Sequence, residues 1–300
     1  MVEAMSLTAT EYYKSDLLSV RYVACRYAEK AAGDTENSDA DTLVLPLRGA
    51  FIEHLSRGTQ VLAEPNLALI FPAGRSYRVS HPMLADDDCL AVEFSPDCYH
   101  DVLESVLLSA GIHSAGTHCL LSPSAMAARN LIWWRLTQNI AGPLEVEEAC
   151  VAMLSYALRC SREQKSSRRK NSRIPRQIEA AKVILLRYPE KNWSLSSLGN
   201  ALGCSPFHLT RMFRENVGVP LHRYHLHTRL SSAIDLLLDT NRDLTTIALD
   251  LGFSSHSHFT ASFRQAVGFS PRRYRDDASS RIAAETRRIL IAQISDSTNV

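Results

Sequence analysis

Three histidines in the C-terminal third of the sequence have a spacing that could ligate a metal ion. His222, His225 and His227 lie within six residues, and the first two would fall on one face of a helix. No cysteine or acidic residue nearby completes a ligand set, and we therefore expect these histidines to lie on a helix surface rather than at a metal.

A second group of potential ligands lies in the N-terminal half. It mixes nitrogen, oxygen and sulfur donors, and its members are His81, Asp86, Asp87, Asp88, Cys89, Cys98 and His100. Such a mixture suits no single metal well, and a run of three aspartates is typical of a solvated hairpin tip. We predict no metal and no cofactor here. Whether this region or the scattered cysteines sense metal or redox state stays open.

Residues for covalent catalysis do not form a recognisable motif. The seven cysteines, at positions 25, 89, 98, 119, 150, 160 and 204, include no C-x-x-C pair, so we expect reduced thiols. There is also no nucleophile–base motif and no phosphate-binding glycine loop. We therefore predict that the protein is not an enzyme.

Two related segments, residues 193–221 and 242–271, organise the C-terminal third. At an offset of 49, four apolar or glycine positions match: Leu195, Leu198, Leu202 and Gly203 with Leu244, Ile247, Leu251 and Gly252. After a one-residue insertion, five more match: Leu209, Phe213, Arg214, Val217 and Gly218 with Phe259, Phe263, Arg264, Val267 and Gly268.

Each copy has the pattern of a helix-turn-helix unit. A glycine ends the first helix, and a serine, Ser205 or either Ser254 or Ser255, caps the second. The second helix buries an apolar stripe, leaves its opposite face free and ends at Gly218 or Gly268. This geometry is typical of helices that enter the major groove of DNA.

The order of these elements resembles the AraC/XylS family of transcription regulators. The resemblance covers residues 174–275 and rests on the segments ALGCSPFHLTRMFRENVGVPLHRY, HLHTRLSSAIDLLL and IALDLGFSSHSHFTASFRQAVGFSPRRYR. It implies an all-α domain in which a linking helix sets two recognition helices into successive major grooves. It also implies base-reading positions on their exposed faces, namely Phe207, Thr210, Arg211, His256, Ser257 and Thr260.

The resemblance assigns further residues to the DNA backbone. These are Ser205, Arg214, Ser255, Arg264, Arg223, Arg272 and Arg273. Arg229 and Arg275 are further candidates, and we expect Arg229 to make intramolecular contacts instead. In the second copy Ala261 stands at the position of Arg211, which can bond guanine through O6 and N7. We therefore expect the second unit to position the protein more than it discriminates bases.

The N-terminal half, residues 1–163, has the pattern of short strands followed by helices, so we predict an α+β protein of two domains. Helices are expected near 97–109, 124–140 and 144–162. The family resemblance implies that the last two form a dimer contact through their apolar stripe, which consists of Leu131, Trp134, Ile140, Leu154 and Leu158. Strands are expected at Leu43–Leu47, Phe51–Leu55, Gln60–Leu62, Leu67–Phe71, Tyr77–Ser80 and Leu90–Phe94. This half resembles the cupin-like sensor domains of the same family, which implies a β-sandwich or barrel for effector sensing and dimerisation.

Metal-dependent cupin enzymes carry an H-x-H pair with a nearby glutamate, and the strand region lacks such a pair. His54 stands alone, and Tyr77 follows the turn where a ligand histidine would be expected. A metal-dependent cupin enzyme with a DNA-binding domain therefore remains only an alternative interpretation.

Charge is distributed unevenly between the two halves. Residues 1–163 contain 12 Lys and Arg against 21 Asp and Glu, a net charge of −9. Residues 164–275 contain 18 against 7, a net charge of +11, which is typical of a polyanion-binding module. Residues 164–173 form a predicted basic linker, and the tail 276–300 has a possible amphipathic helix without a function that we can assign.

These observations predict a sequence-specific regulator. The family that it resembles implies an activator that responds to a small effector. Expected partners are double-stranded DNA, RNA polymerase, a small effector and a second copy of the chain. A regulator controlled by a protein partner or by its own abundance is an alternative. No run of 18 apolar residues and no signal pattern occurs, so we expect a cytoplasmic protein without a membrane partner. The effector, target genes and direction of regulation are not encoded in any recognisable residue.

Overall fold

Two antiparallel sheets form the N-terminal part of the chain in a computed structural model, which describes residues 6–26, 32–54, 60–81, 86–110, 117–167, 175–239, 241–276 and 288. One sheet has the order β1-β2-β9-β4-β7-β10 and the other β3-β8-β5-β6. The strands are β1 (Ser6–Lys14), β2 (Leu18–Arg26), β3 (Ala32–Asn37), β4 (Asp41–Arg48), β5 (Phe51–His54), β6 (Gln60–Ala63), β7 (Leu67–Phe71), β8 (Ser76–Ser80), β9 (Asp87–Phe94) and β10 (His118–Leu120).

The central strand β9 separates two environments because successive side chains point to opposite faces of a sheet. Leu90, Val92 and Phe94 lie in the main apolar core beneath the helices. The intervening side chains, from Asp87 to Glu93, line a cavity between the two sheets. This alternation explains why a strand with acidic residues can lie at the centre of the sheet.

The six strands predicted from the sequence are found as β4 to β9. The prediction omitted β1, β2, β3 and β10. Strand β1 lies at the edge of its sheet and pairs only with β2, and most of its residues are exposed. Its sequence, SLTATEYYK, therefore lacks the aliphatic alternation by which a half-buried strand is recognised.

Three helices follow the strands: α1 (Pro96–Ala110), α2 (Pro123–Thr137) and α3 (Pro143–Ser167). Helix α2 ends three residues before the predicted end, and shortly afterwards Asn139 adopts a left-handed backbone with φ of 55°. Helix α3 extends to Ser167, so the first four residues of the predicted linker 164–173 are helical instead. Gln and Lys are good helix formers, so their intrinsic propensity favours continuation of the helix.

The C-terminal part is entirely helical among its described residues, as predicted. Its helices are α4 (Arg176–Arg187), α5 (Leu195–Ala201), α6 (Pro206–Val217), α7 (Leu221–Asp239), α8 (Leu244–Asp250), α9 (His256–Val267) and α10 (Pro271–Asp276). The predicted amphipathic helix of the tail falls almost wholly outside the described residues.

The two helix-turn-helix units are built on different cores. The first unit has a core of its own, in which Leu209 and Phe213 of α6 pack with Ile178 of α4 and Tyr224 of α7. The second unit joins the main core of the N-terminal part, and its fully buried residues include Phe259. The cores therefore do not divide where the predicted domains do.

The predicted dimer stripe on α2 and α3 is largely used inside the chain. Leu131, Leu154 and Leu158 are buried in the main core, and Trp134 packs against it. Ile140 alone of the five predicted residues is exposed, at 50%. Within the described residues, no helix combines the length and apolar character needed to cross a membrane.

Candidate DNA interface

The first recognition helix, α6, is fixed by capping groups at both ends. Ser205 is the N-cap, and its Oγ accepts a hydrogen bond from the backbone N–H of His208 at 3.2 Å. Pro206 occupies the first turn, where its missing N–H has no consequence. Gly218 ends the helix with φ of 89°, a left-handed conformation that favours glycine.

Burial of one face of α6 leaves the predicted base-reading residues in solvent. Leu209 and Phe213 are fully buried, whereas Phe207 is 79% exposed. The side chain of Arg211 is 60% exposed and has only a weak i,i+4 contact with Glu215, at 3.9 Å. An exposed phenyl ring and an extended guanidinium on one helix face can contact base edges in a groove.

The second recognition helix, α9, has the same construction. Ser255, not Ser254, is its N-cap, and its Oγ accepts a hydrogen bond from the backbone N–H of His258 at 3.1 Å. Gly268 ends the helix with φ of 98°. Phe259 and Phe263 are fully buried, which leaves the opposite face toward solvent.

The exposed face of α9 is shorter and less basic than that of α6. His256 and Ser257 are exposed, and Ala261 is exposed where α6 presents Arg211. Thr260 is half-buried rather than fully exposed, with its hydroxyl 3.4 Å from Nε2 of His256. The second helix therefore offers small polar groups to a ligand and no long side chain at its centre.

Basic side chains border both recognition helices. Arg214 and Arg264 are exposed in the last turns of α6 and α9, at equivalent positions. Arg223 lies exposed on α7, and Arg272 and Arg273 lie exposed on α10. Exposed guanidinium groups at these places are suited to phosphate contacts.

His208 and Gln265 are exposed polar side chains of the recognition helices to which the sequence analysis assigned no DNA contact. His208 lies three residues before Arg211, and Gln265 follows Arg264. The i,i+3 spacing of His208 from Arg211 is the signal that could have found it, because such residues share a helix face.

Arg229 on α7 holds the chain that precedes the first unit, as expected. Its guanidinium donates to the backbone oxygens of Pro189 at 2.6 Å and Lys191 at 3.2 Å, and to the side chain of Asn192 at 2.9 Å. A Cβ at Gly252 would lie 2.0 Å from the backbone oxygen of Glu190. Only glycine allows this close approach, which fixes the second unit against the same segment.

The linking helix α7 is also hydrogen-bonded to the N-terminal sheets. Tyr224 donates through its hydroxyl to Oε1 of Glu64 at 2.8 Å, and the Asn66 amide donates to the Thr228 hydroxyl at 3.2 Å. Glu64 is fully buried, and burial raises the pKa of its carboxyl, an effect that the charge of Lys182 opposes. The N-terminal sheets and α7 therefore share a buried polar contact.

Helix α2 forms a second contact with the C-terminal part. Asn130 donates to the Asp235 carboxylate on α7, and the hydroxyl of Tyr274 donates to the backbone oxygen of Ala127 at 2.8 Å. Tyr274 is fully buried beside Phe263 of the second recognition helix. Helix α2 is therefore hydrogen-bonded to both α7 and α10.

The mixed ligand group of the N-terminal half is divided by the fold. Nε2 of His81 lies 2.7 Å from Oδ1 of Asp87 beside a cavity of about 320 Å³ between the sheets, which Cys89 also lines. Cys98 and His100 lie on α1 and do not line this cavity. Cys25 also lines this cavity, and it lies on β2, a strand that was not predicted from the sequence.

The predicted histidine group on α7 is not assembled for metal binding. His225 faces the backbone oxygen of Pro189 at 2.9 Å, whereas His222 is exposed. Burial, together with the charge of Arg223, lowers the pKa of His227 to about 4. The three imidazoles therefore have separate environments.

Known proteins are similar to this chain in its C-terminal part. A family model described as a helix-turn-helix domain matches residues 198–277. An uncharacterized HTH-type transcriptional regulator of Haemophilus influenzae is 28% identical over 104 residues, which are 35% of each chain. HTH-type transcriptional regulator MtrA of Neisseria gonorrhoeae is 31% identical over 93 residues, 31% of each chain.

The aligned segment thus spans about a third of the length of these two relatives. Among solved structures, a transcriptional regulator from Chromobacterium violaceum with an AraC-type DNA-binding domain is 28% identical. The match covers 35% of this chain and 94% of that chain, with a TM-score of 0.33. Residues 198–277 thus form a helix-turn-helix domain of the AraC type, similar to the corresponding segments of these HTH-type transcriptional regulators.

Proposed function

We propose that the protein regulates transcription by binding a specific operator through α6 and α9. The observation that carries the proposal is the pair of capped helices, each with a buried apolar face, an exposed polar face and a bordering arginine. The helices lie in a region of net charge +11, which suits a polyanionic partner.

In this proposal the two helices have unequal roles. Arg211 reads a guanine through two hydrogen bonds, and Phe207 contacts a thymine methyl. Thr210, His256, Ser257 and Thr260 complete the base-reading set. The backbone contacts belong to Arg214 and Arg264 and to a wider group consisting of Ser205, Ser255, Arg223, Arg272 and Arg273. Because Ala261 replaces the long side chain in α9, the first unit discriminates bases and the second positions the protein.

Selection from fragmented genomic DNA tests this function. The full-length protein is mixed with the fragments at a fixed salt concentration, and bound fragments are sequenced. We expect a small set of sites to be enriched, with an affinity about 10³-fold or more above that for shuffled DNA of the same composition. Equal affinity for enriched and shuffled duplexes would contradict sequence-specific regulation.

We further propose that the cupin-like N-terminal domain binds a small effector in the cavity between its sheets. The volume of about 320 Å³ lies within the range of small-ligand sites, and its lining combines apolar and ionisable side chains. A small molecule retained on purification, or a rise in melting temperature with a candidate compound, would support this role. If neither is found, control by a protein partner or by abundance is favoured.

The buried contacts of α7 supply a route from effector to DNA. Glu64 and Asn66 follow β6, in the sensor domain, and bond Tyr224 and Thr228 of the linking helix. A change at the cavity that shifts this turn would alter α7, and α7 sets the separation of the recognition helices. We place the protein in the cytoplasm as an activator that contacts RNA polymerase, in keeping with the family that it resembles.

A homodimer would increase operator affinity because, once one DNA-binding domain is bound, the second is held near its site at a high effective concentration. Most of the predicted dimer stripe is buried within the chain. The proposed contact is therefore limited to the exposed apolar side chains at the α2–α3 connection, Ile140 and Leu144, which are 50% and 68% exposed. Sedimentation velocity of the wild type and of Leu144→Glu tests this contact: a wild-type monomer at operator-binding concentrations would contradict it.

A further inference from the structure

Three donor atoms of different kinds meet at one wall of the sensor cavity. Cys25 lies opposite Asp87 in the antiparallel pair of β2 and β9, and His81 follows β8 of the other sheet. The cysteine sulfur, an imidazole nitrogen and a carboxylate oxygen all lie within 4.8 Å of one another. All three residues are buried.

The framework holds these donors in place. Residues directly opposite in an antiparallel pair have Cβ atoms about 5 Å apart, so the backbone fixes Cys25 and Asp87 as neighbours. Nε2 of His81 approaches Oδ1 of Asp87 to 2.7 Å, which joins the two sheets at this point. Because the ligands come from two packed sheets, little chain ordering would be needed on binding a cation.

The donor set suits a borderline divalent cation. Zn²⁺ takes thiolate, imidazole and carboxylate ligands at about 2.0–2.3 Å, usually in a tetrahedron. Tetrahedral ligand atoms at those lengths are separated by about 3.3–3.7 Å. The three donor atoms reach that arrangement if His81 and Asp87 part by less than about 1 Å and the separations of up to 4.8 Å close by about 1 Å. Hard cations such as Mg²⁺ would not be expected to recruit the sulfur.

We propose that Cys25, His81 and Asp87 bind one Zn²⁺-class divalent cation, with a fourth coordination position that opens into the sensor cavity. Binding of the cation would release the thiol proton of Cys25 to solvent. The open position gives a small ligand with a sulfur, nitrogen or carboxylate donor a place to bind. This inference goes beyond the DNA-binding function and does not depend on it.

Metal titration of the purified full-length protein tests the site. After chelator treatment under reducing conditions, Co²⁺ is added and the thiolate-to-cobalt charge-transfer absorption is followed; Zn²⁺ affinity is then measured by competition. We expect one equivalent of Co²⁺ to bind with this absorption and to be displaced by Zn²⁺. Mg²⁺ should not displace it.

Single variants identify the ligands. Cys25→Ser should abolish the charge-transfer absorption, and His81→Gln and Asp87→Asn should each weaken Zn²⁺ binding at least tenfold. Cys98→Ser, which changes a cysteine of α1 outside the cavity, is the matched control and should bind as the wild type does. Circular dichroism confirms the fold of each variant before titration.

Wild-type protein provides a readout that needs no variant. One equivalent of Zn²⁺ should raise its melting temperature, because a ligand that binds only the folded state stabilises it. Absorption retained in Cys25→Ser, or wild-type affinity in both His81→Gln and Asp87→Asn, would overturn the site. So would failure of Zn²⁺ to shift the wild-type melting temperature. None of these measurements uses DNA, so their failure is distinguishable from failure of operator binding.

Discussion

Arg211 and Arg264 both extend into solvent from recognition helices, but their positions on the helices differ. Arg211 lies in the middle of α6, on the face that includes Phe207, whereas Arg264 lies in the last turn of α9. We therefore expect Arg211 to discriminate bases and Arg264 to bind phosphate. The two arginines can be separated by their effects on specificity and on salt dependence.

Arg211→Ala should weaken binding to the selected operator by about 1–3 kcal/mol, because two hydrogen bonds to one base are lost. The same change should have little effect on random DNA, so discrimination is relaxed at a single base pair. Competition binding with every substitution at each operator position measures this. Equal losses on operator and random duplex would contradict a base-reading role.

Arg264→Ala should weaken binding to operator and random DNA alike. Because one phosphate contact is removed, the slope of log K against log salt should fall by about 1. The measurement is a salt series from low to moderate ionic strength with both duplexes. An unchanged slope would refute the phosphate contact.

Glu53, in the second sheet, should make stability depend on pH. Burial raises the pKa of this carboxyl to about 7, and the ion pair with Arg75, at 2.7 Å, only partly opposes the effect. The folded state then holds a proton that the unfolded chain releases above its ordinary pKa of about 4.5. Stability attributable to this group is therefore greatest below that value and falls as the pH rises toward 7.

Glu53→Gln keeps the shape of the side chain and removes this titration. Urea unfolding between pH 5 and pH 7 should show a steeper decline in the free energy of unfolding for the wild type than for the variant. The difference should be at most about 1.4 kcal/mol per pH unit. Parallel curves would show that Glu53 is ionised in the folded state throughout this range.

The helices of the C-terminal part could be predicted because their signals are local. Ser205 caps α6 and the left-handed Gly218 and Gly268 end α6 and α9, as the sequence indicates. Ser255, one of the two serines that the sequence offers, caps α9. Strand β1 gave no such signal, since an exposed edge strand needs no aliphatic alternation. The bounds of α3 were also wrong, because a helix can continue through polar residues when its earlier turns are anchored in a core.

Arg229 joins separate elements of the chain. It donates hydrogen bonds to the segment between α4 and α5, including the oxygens of Pro189 and Lys191. Arg229→Ala should lower the free energy of unfolding by about 2–3 kcal/mol, because bonds from a charged donor are lost and their acceptors left unpaired.

The salt slope of DNA binding separates this structural role from a phosphate contact. The Arg229→Ala protein that remains folded should show the wild-type slope, in contrast to Arg264→Ala. Urea unfolding and a salt series on the same preparation measure the two properties. A reduced slope with unchanged stability would place Arg229 at the DNA instead.

The N-terminal and C-terminal parts of the molecule share more buried contacts than the sequence suggests. The basic stretch near residues 164–173 predicts two independent domains, yet the second helix-turn-helix unit shares a core with α2 and α3. Tyr224 and Glu64, far apart in the chain, meet in a buried hydrogen bond. No local pattern encodes such contacts. For the same reason the sequence analysis grouped His81 with Asp87, which are close in the chain, but did not include Cys25, which pairing of β2 with β9 brings next to them.

We therefore expect the two halves to unfold together. Tryptophans report on each part: Trp133 and Trp134 lie on α2, and Trp193 packs against the core of the first unit. Urea transitions of Trp193→Phe, and of the double variant Trp133→Phe/Trp134→Phe, should coincide with each other and with far-ultraviolet circular dichroism. Separate midpoints would show that the halves are independent.

Hydroxyl-radical footprinting of the full-length protein on an enriched genomic site is the measurement with which to begin. If α6 and α9 enter successive major grooves, protection should flank two grooves on one face of the duplex, with centres about 10 base pairs apart. The Arg211→Ala protein should lose discrimination between bases in only one of the two protected grooves. Protection of a single groove, or a uniform pattern without enriched sites, would contradict DNA reading by the two helices.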